Sequence, residues 1–304
     1  MIIDVPSHED FEESGIDLLN LAWDMVMSLA LELEDAHYYD PEIEDVEFWE
    51  AAQKPISTSL ALVQQGTELL LKGRIAEVSP FLLISGSPSE WHKGCDKTDT
   101  PFADFRTIDA QDLIRTHNTV AARKLPDDFV QKYENLRRLR NTIMHTVDKR
   151  IKKEFVEVFL TILEVFDNLI VPQGWFSARS TYLEKHPSTI SYSGDFADFR
   201  LVREGMKLVE ILKPSETTKY FGYSKRNRSY ICLNCLSYCR DTDIVPHTAQ
   251  LKPNSPKSET VFCFVCNSER AVRRKDCEAE ECKCNVIDVE EESCLVCQQY
   301  QETE

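Results

Sequence analysis

Pro126-Asp127-Asp128-Phe129-Val130-Gln131-Lys132-Tyr133-Glu134-Asn135-Leu136-Arg137-Arg138-Leu139-Arg140-Asn141-Thr142-Ile143-Met144-His145 reads as the start and body of one helix. Proline and two aspartates stand where a helix begins, because the first turn has amide hydrogens to spare and a positive dipole end. The spacing predicts that this helix runs to about Val147. Near its end, Arg140, Asn141 and His145 place a guanidinium, a carboxamide and an imidazole within six residues. Those groups suit breaking a phosphodiester without a metal: a fixed cation, a donor that orients a phosphate oxygen, and a base titrating near neutrality. Residues 132–153 hold Lys132, Arg137, Arg138, Arg140, Lys149, Arg150, Lys152 and Lys153 against Glu134 and Asp148, a net of +6 in a chain of net charge −17. A basic patch in an acidic protein is a footprint for a polyanion, and Arg137, Arg138, Lys149 and Lys152 are its candidate RNA contacts.

Helical patterns flank this segment. Residues 14–36 carry Ile16, Leu19, Leu21, Trp23, Val26, Leu29, Ala30 and Leu33 at helical spacing, and Asp40-Pro41 ends the run. Helices are predicted at 56–78, at 108–121 and from Ile151 to Leu169, with an exposed loop at 85–101. Short connections between them make a mainly α fold, a helical bundle. Residues 196–213 add one more helix.

Arg140-Asn141 followed by His145, on a late helix of an all-helical region, resembles the ribonuclease motif of the HEPN superfamily. The resemblance covers roughly residues 50–172. Some members carry an upstream Glu-x-x-x-Lys-Arg; here Glu68 and Lys72 are followed by Gly73, so the Arg is missing, and an ordinary helix ion pair is the simpler reading. His117, in another predicted helix, is a further candidate for the same groove. The resemblance implies a homodimer whose cleft is lined by both copies of the motif. It gives His145 the acid–base role at the ribose 2′-OH or the leaving oxygen, Arg140 the scissile phosphate, and Asn141 the geometry. It also implies 2′,3′-cyclic phosphate and 5′-OH products, a bacterial toxin or antiphage effector, and an antitoxin or regulatory partner. The competing expectation is a non-catalytic module of the same architecture that binds nucleic acid or protein.

Charge is segregated along the chain. Residues 1–53 contain sixteen Asp and Glu and no Lys or Arg; residues 276–304 contain ten acids and Lys283; the middle is +8. Acidic ends aid solubility; the alternative is that the N-terminal acids contact the basic groove and restrain RNA. Residues 1–13 look too poorly apolar to belong to a core. No basic n-region with an apolar stretch opens the chain, and no run approaches the ~20 residues of a membrane helix, so a cytoplasmic protein without membrane contact is expected.

Ten of the eleven cysteines lie after residue 231. Three Cys-x-x-Cys pairs in a chain expected in a reducing compartment point to zinc rather than to disulfides. The region resembles tandem zinc ribbons, small β-hairpin units. That resemblance implies one site of Cys232, Cys235, Cys263 and Cys266 and a second of Cys277, Cys282, Cys294 and Cys297. Cys239 and Cys284 are left over as alternative ligands, and an interleaved pairing stays open. Four thiolates close a structural site, so no catalytic metal is expected. Nearby bases, including Lys225, Arg226, Arg228, Arg270, Arg273 and Arg274, are available to phosphate. The expected division is 1–54, an acidic helical segment; 55–175, the HEPN-like domain; 176–220, a helical connector; and 221–304, the tandem ribbons.

Overall fold

A computed structural model describes residues 1–145, 152–170, 174–191, 195–240 and 242–301, with residues 144 and 145 placed as backbone. The chain forms two units, Met1–Pro172 and Gln173–Glu304.

The first unit is a helical bundle. β1 (Ile2–Ile3) leads into α1 (His8–Tyr39), followed by α2 (Asp45–Ala51) and α3 (Gln53–Ala76). β2 (Thr100–Pro101), α4 (Ala110–Val120), α5 (Asp127–His145) and α6 (Phe155–Leu169) complete it. α1 starts earlier than hydrophobic periodicity indicates, because Ser7 and Asp10 form a reciprocal cap: Asp10 N–H donates to Ser7 Oγ at 3.2 Å and Ser7 N–H to Asp10 Oδ2 at 2.7 Å. α1 buries Leu19, Ala22, Trp23, Val26, Met27 and Ala30, and α3 buries Ile56, Leu60, Val63, Leu71 and Ile75. Period-3.6 stripes on both helices explain the mutual packing.

Gly15 and Gly66 set how closely α1 and α3 approach. A Cβ at Gly66 would stand 2.9 Å from the Gly15 carbonyl oxygen, and one at Gly15 would stand 2.7 Å from Leu70. α6 closes the core: Trp23 meets Phe159 edge-on at 4.7 Å, and Trp49 stacks on Phe155 at 3.9 Å. The acidic segment 1–54 is therefore not a separate piece. Residues 1–13 are also built in, since β1 pairs in parallel with β2 (Ile2 opposite Thr100) and Phe11 lies against the Gly73 notch.

The second unit begins with helices: α7 (Trp175–Lys185), α8 (Pro187–Ser191), α9 (Phe196–Ile211) and α10 (Pro214–Phe221). A short α11 (Leu233–Ser237) precedes the four-stranded antiparallel sheet β3 (Ala249–Leu251), β4 (Thr260–Cys263), β5 (Ser268–Arg273) and β6 (Ile287–Asp288), in that order. The expected connector is instead about a third of this unit. A Cβ on Gly205 of α9 would stand 2.3 Å from Val265 Cγ2, so α9 lies directly on the β4–β5 turn. Arg179 of α7 and Glu204 of α9 are fully buried and joined by two bonds, Nε to Oε2 at 2.9 Å and Nη2 to Oε1 at 2.7 Å. Arg200 Nε adds a third bond to Glu204, at 3.0 Å. No described helix is long and apolar enough to cross a membrane.

Candidate functional site

The ribbon strands bring the cysteines together as two groups of four. Cys232 and Cys235 flank the first turn of α11, while Cys263 ends β4 and Cys266 lies in the turn to β5. In each group the four sulfurs lie within 4.8 Å of one another. Cys232 Sγ is 3.6 Å from Cys266 Sγ, and Cys235 Sγ is 3.7 Å from Cys263 Sγ. In the second group Cys277 and Cys297 are 3.5 Å apart, and Cys282 and Cys294 are 3.7 Å apart.

These distances decide the chemistry. A disulfide needs about 2.05 Å, whereas a tetrahedron with metal–sulfur bonds of about 2.3 Å has an edge near 3.8 Å. All of these cysteines are free. Contacts with Cys232 and Cys263, together with burial, push the Cys235 thiol up, while the same contacts push Cys266 down. Four crowded sulfurs cannot all ionise unaided; a divalent cation among them holds every one as thiolate. Hydroxyls already face two of the sulfurs, Thr248 Oγ1 at 3.1 Å from Cys263 and Ser268 Oγ at 2.9 Å from Cys266, as thiolate ligands require.

The pairing is sequential, not interleaved. Cys239 and Cys284 are buried but stand outside both groups. The Cys284 sulfur is turned back on its own chain, accepting from Val286 N–H at 3.4 Å. The residues after Cys266 and Cys297, Asn267 and Gln298, adopt left-handed φ of 51° and 62°. Arg270 is not available to phosphate. It holds Asp288 through Nε at 2.7 Å and Nη2 at 2.9 Å, and Asn234 through Nη1 at 2.9 Å. Burial alone would raise the Asp288 carboxyl; the bonds from Arg270 and from Glu291 N–H outweigh it and hold the group below its ordinary value.

The other candidate lies at the end of α5. Arg140 and Asn141 are adjacent on its last turns, and Arg140 Nη1 donates to Asn141 Oδ1 at 3.2 Å. His145 is the last residue of α5; its side chain and all of Lys149 lie outside the described residues. Four cations of the +6 patch are paired with neighbouring acids. Arg137 pairs with Glu134 at 2.8 Å, Lys153 with Glu157 at 2.9 Å, Lys152 with Glu50, and Lys132 with Glu164. Three of those four acids lie outside the basic stretch in sequence. Arg138 and Arg140 have no carboxylate partner among the described residues. The acidic first 53 residues reach the basic segment through Glu50, paired with Lys152, and through Gln53, whose Oε1 accepts from Lys153 N–H at 2.7 Å and whose Nε2 donates to Lys153 O at 3.0 Å.

His117 is buried in the bundle, with Nδ1 3.0 Å from Asn118 Oδ1, and does not line a groove. Glu68 accepts from Gln64, and Lys72 donates to Thr107 Oγ1 at 3.0 Å, so those two side chains serve separate partners. No protein-family model, curated protein or solved structure matches the chain.

Proposed function

We propose that the protein is a metal-independent endoribonuclease of HEPN type carried with a zinc-stabilised ribbon unit. The observation that carries the reading is the end of α5, where Arg140 and Asn141 are bonded to each other and His145 follows one turn after Asn141. Arg138 and Arg140, which have no carboxylate partner among the described residues, supply charge for a phosphate. In this reading Arg140 binds the scissile phosphate, Asn141 fixes its orientation, and His145 moves the proton at the 2′-OH or the leaving oxygen. A second copy of the chain completes the cleft as a homodimer, and an antitoxin or other regulatory partner restrains it in the cytoplasm.

Zinc is the metal that fits the two cysteine groups: thiolates only, one sulfur per ligand, and edges close to those of a Zn–S tetrahedron. Both centres have a full set of four protein ligands, which supports a structural role for the metal.

The test is cleavage of RNA in buffer without added magnesium or manganese, with zinc content measured in parallel. His145→Ala and Arg140→Ala are each expected to lose about 10²–10⁴ in rate while keeping zinc and helicity. Products should carry 2′,3′-cyclic phosphate and 5′-OH ends. Wild-type rates in both variants would remove the site assignment; no cleavage by the wild-type homodimer would leave the non-catalytic binding module.

A further inference from the structure

The sheet of the second unit has a cavity of about 200 Å³ on the face opposite to that on which Cys263 points. Gln250 of β3 and Phe262 of β4 are directly paired in register, and Phe264 follows two residues on, so the three share one face. Phe264 is anchored by Tyr223, edge-on at 5.3 Å, and by Phe221, stacked at 5.1 Å. Gln250 is locked into the wall: its Oε1 accepts from Ser224 N–H at 2.9 Å, and its Nε2 donates to Ser224 O at 2.7 Å. The walls are therefore aromatic and fixed.

The rim is different. Asn227 and Asn254 line the cavity, and neither side-chain carboxamide has a hydrogen-bond partner among the described residues. Lys252 holds its ammonium 4.1 Å over the Phe262 ring. The adjoining loop carries Lys225, Arg226 and Arg228, and Arg226 is exposed with no partner among the described residues. Lys252 also pairs with Glu269, at 3.0 Å, and no acid lines the cavity among the described residues.

We propose that this cavity takes one unpaired base of a single-stranded nucleic acid. An aromatic wall offers a stacking face that any base can use. Two open carboxamides each present a donor and an acceptor, which is what a base edge reads. Cations on the neighbouring loop meet the strand's phosphates. A pocket of this size admits a base swung out of a strand and excludes a base pair, so the ligand is unpaired. The site deepens the ribonuclease reading by naming single-stranded RNA as what the second unit holds, yet its binding is measured without any cleavage.

The experiment uses the zinc-loaded full chain carrying His145→Ala, so that the strand stays intact. Fluorescence anisotropy compares labelled strands of about 10 nucleotides: RNA, DNA of the same sequence, and an abasic strand with the same phosphates. The base-bearing strands are expected to bind about 5- to 100-fold more tightly than the abasic strand, the range that stacking of a single base supplies. Phe262→Ala should remove that difference, and Asn254→Ala, at an exposed position, should reduce it with zinc content unchanged. Arg226→Ala should weaken all strands alike. Preference for RNA over DNA would assign the 2′-OH a role; equal binding of the two would assign recognition to the base. Equal affinity for abasic and base-bearing strands, or an unchanged difference in Asn254→Ala and Phe262→Ala proteins that retain zinc, overturns the proposal.

Discussion

The two units hold themselves together by different physics. In the first, α1, α3 and α6 bury Leu19, Trp23, Leu60, Leu71 and Phe159 among one another, and Gly15 and Gly66 let two backbones touch. Its stability is spread over many weak apolar contacts, each replaceable in part. In the second, eight sulfurs in two clusters and one fully buried arginine–glutamate pair sit at the crossing points of the chain. There, a few strong and charged interactions are added to an apolar core that includes Trp175, Phe176, Leu201, Leu208 and Val265. The first unit should therefore fail gradually under substitution, and the second abruptly.

The largest break in that contrast comes from the metal. Chelation, or Cys235→Ser, removes an interaction worth ~10–16 kcal/mol per site in small zinc units. Hydrogen exchange by mass spectrometry should then show residues 230–300 unprotected and residues 8–76 unchanged; protection that persists across the ribbons after metal loss would show that the sheet stands by itself. Next is Glu204→Ala, which leaves the buried Arg179 charge without its bidentate partner. It should destabilise the second unit by about 3–5 kcal/mol, read from denaturant melts, whereas the Arg179→Met, Glu204→Leu double variant should recover most of the loss.

In the first unit the sharpest single change is Gly66→Ala, which drives a methyl group into the Gly15 carbonyl at 2.9 Å. About 1–3 kcal/mol is expected, seen as a lower melting temperature of the 1–172 region; a neutral result would mean that α1 slides without penalty. The smallest effect is that of Ser7→Ala, which opens the cap of α1 at a cost of about 1 kcal/mol. Faster exchange confined to the first turn of α1 would confirm it, and no change there would assign the helix start to the β1–β2 pairing instead.

What was legible in the chain follows the same divide. The first cysteine group follows from two Cys-x-x-Cys turns that need only meet; the second has one such turn, Cys294 and Cys297, and its other members, Cys277 and Cys282, come from the likeness to tandem ribbons. The choice between Cys282 and Cys284 is settled only by the structure, where the Cys284 sulfur is drawn into its own turn by Val286 N–H. The bundle was legible through apolar periodicity in α1, α3 and α6. The boundary of the first unit was not, because acidity hides the buried stripe of α1 from a charge count. α7 escaped notice because its sequence buries Arg179 on the face where a core helix is expected to place an apolar residue; its partner, Glu204, lies 25 residues away. The basic patch was legible as charge but not as availability: Lys132 and Lys152 are answered by Glu164 and Glu50, which no local window contains.

One detail of the ribbons bears on how their surface is used. Asn267 and Gln298 hold left-handed backbone in the turns that follow Cys266 and Cys297, where glycine would sit with less strain. The packing of each turn into its group of four sulfurs dictates its path, so local preference has little say. Each knuckle can thus carry a side chain at its tip, and both of these carboxamides are exposed. The turns that carry the clustered cysteines double as places where the outer surface can change its lettering while the scaffold beneath stays as it is.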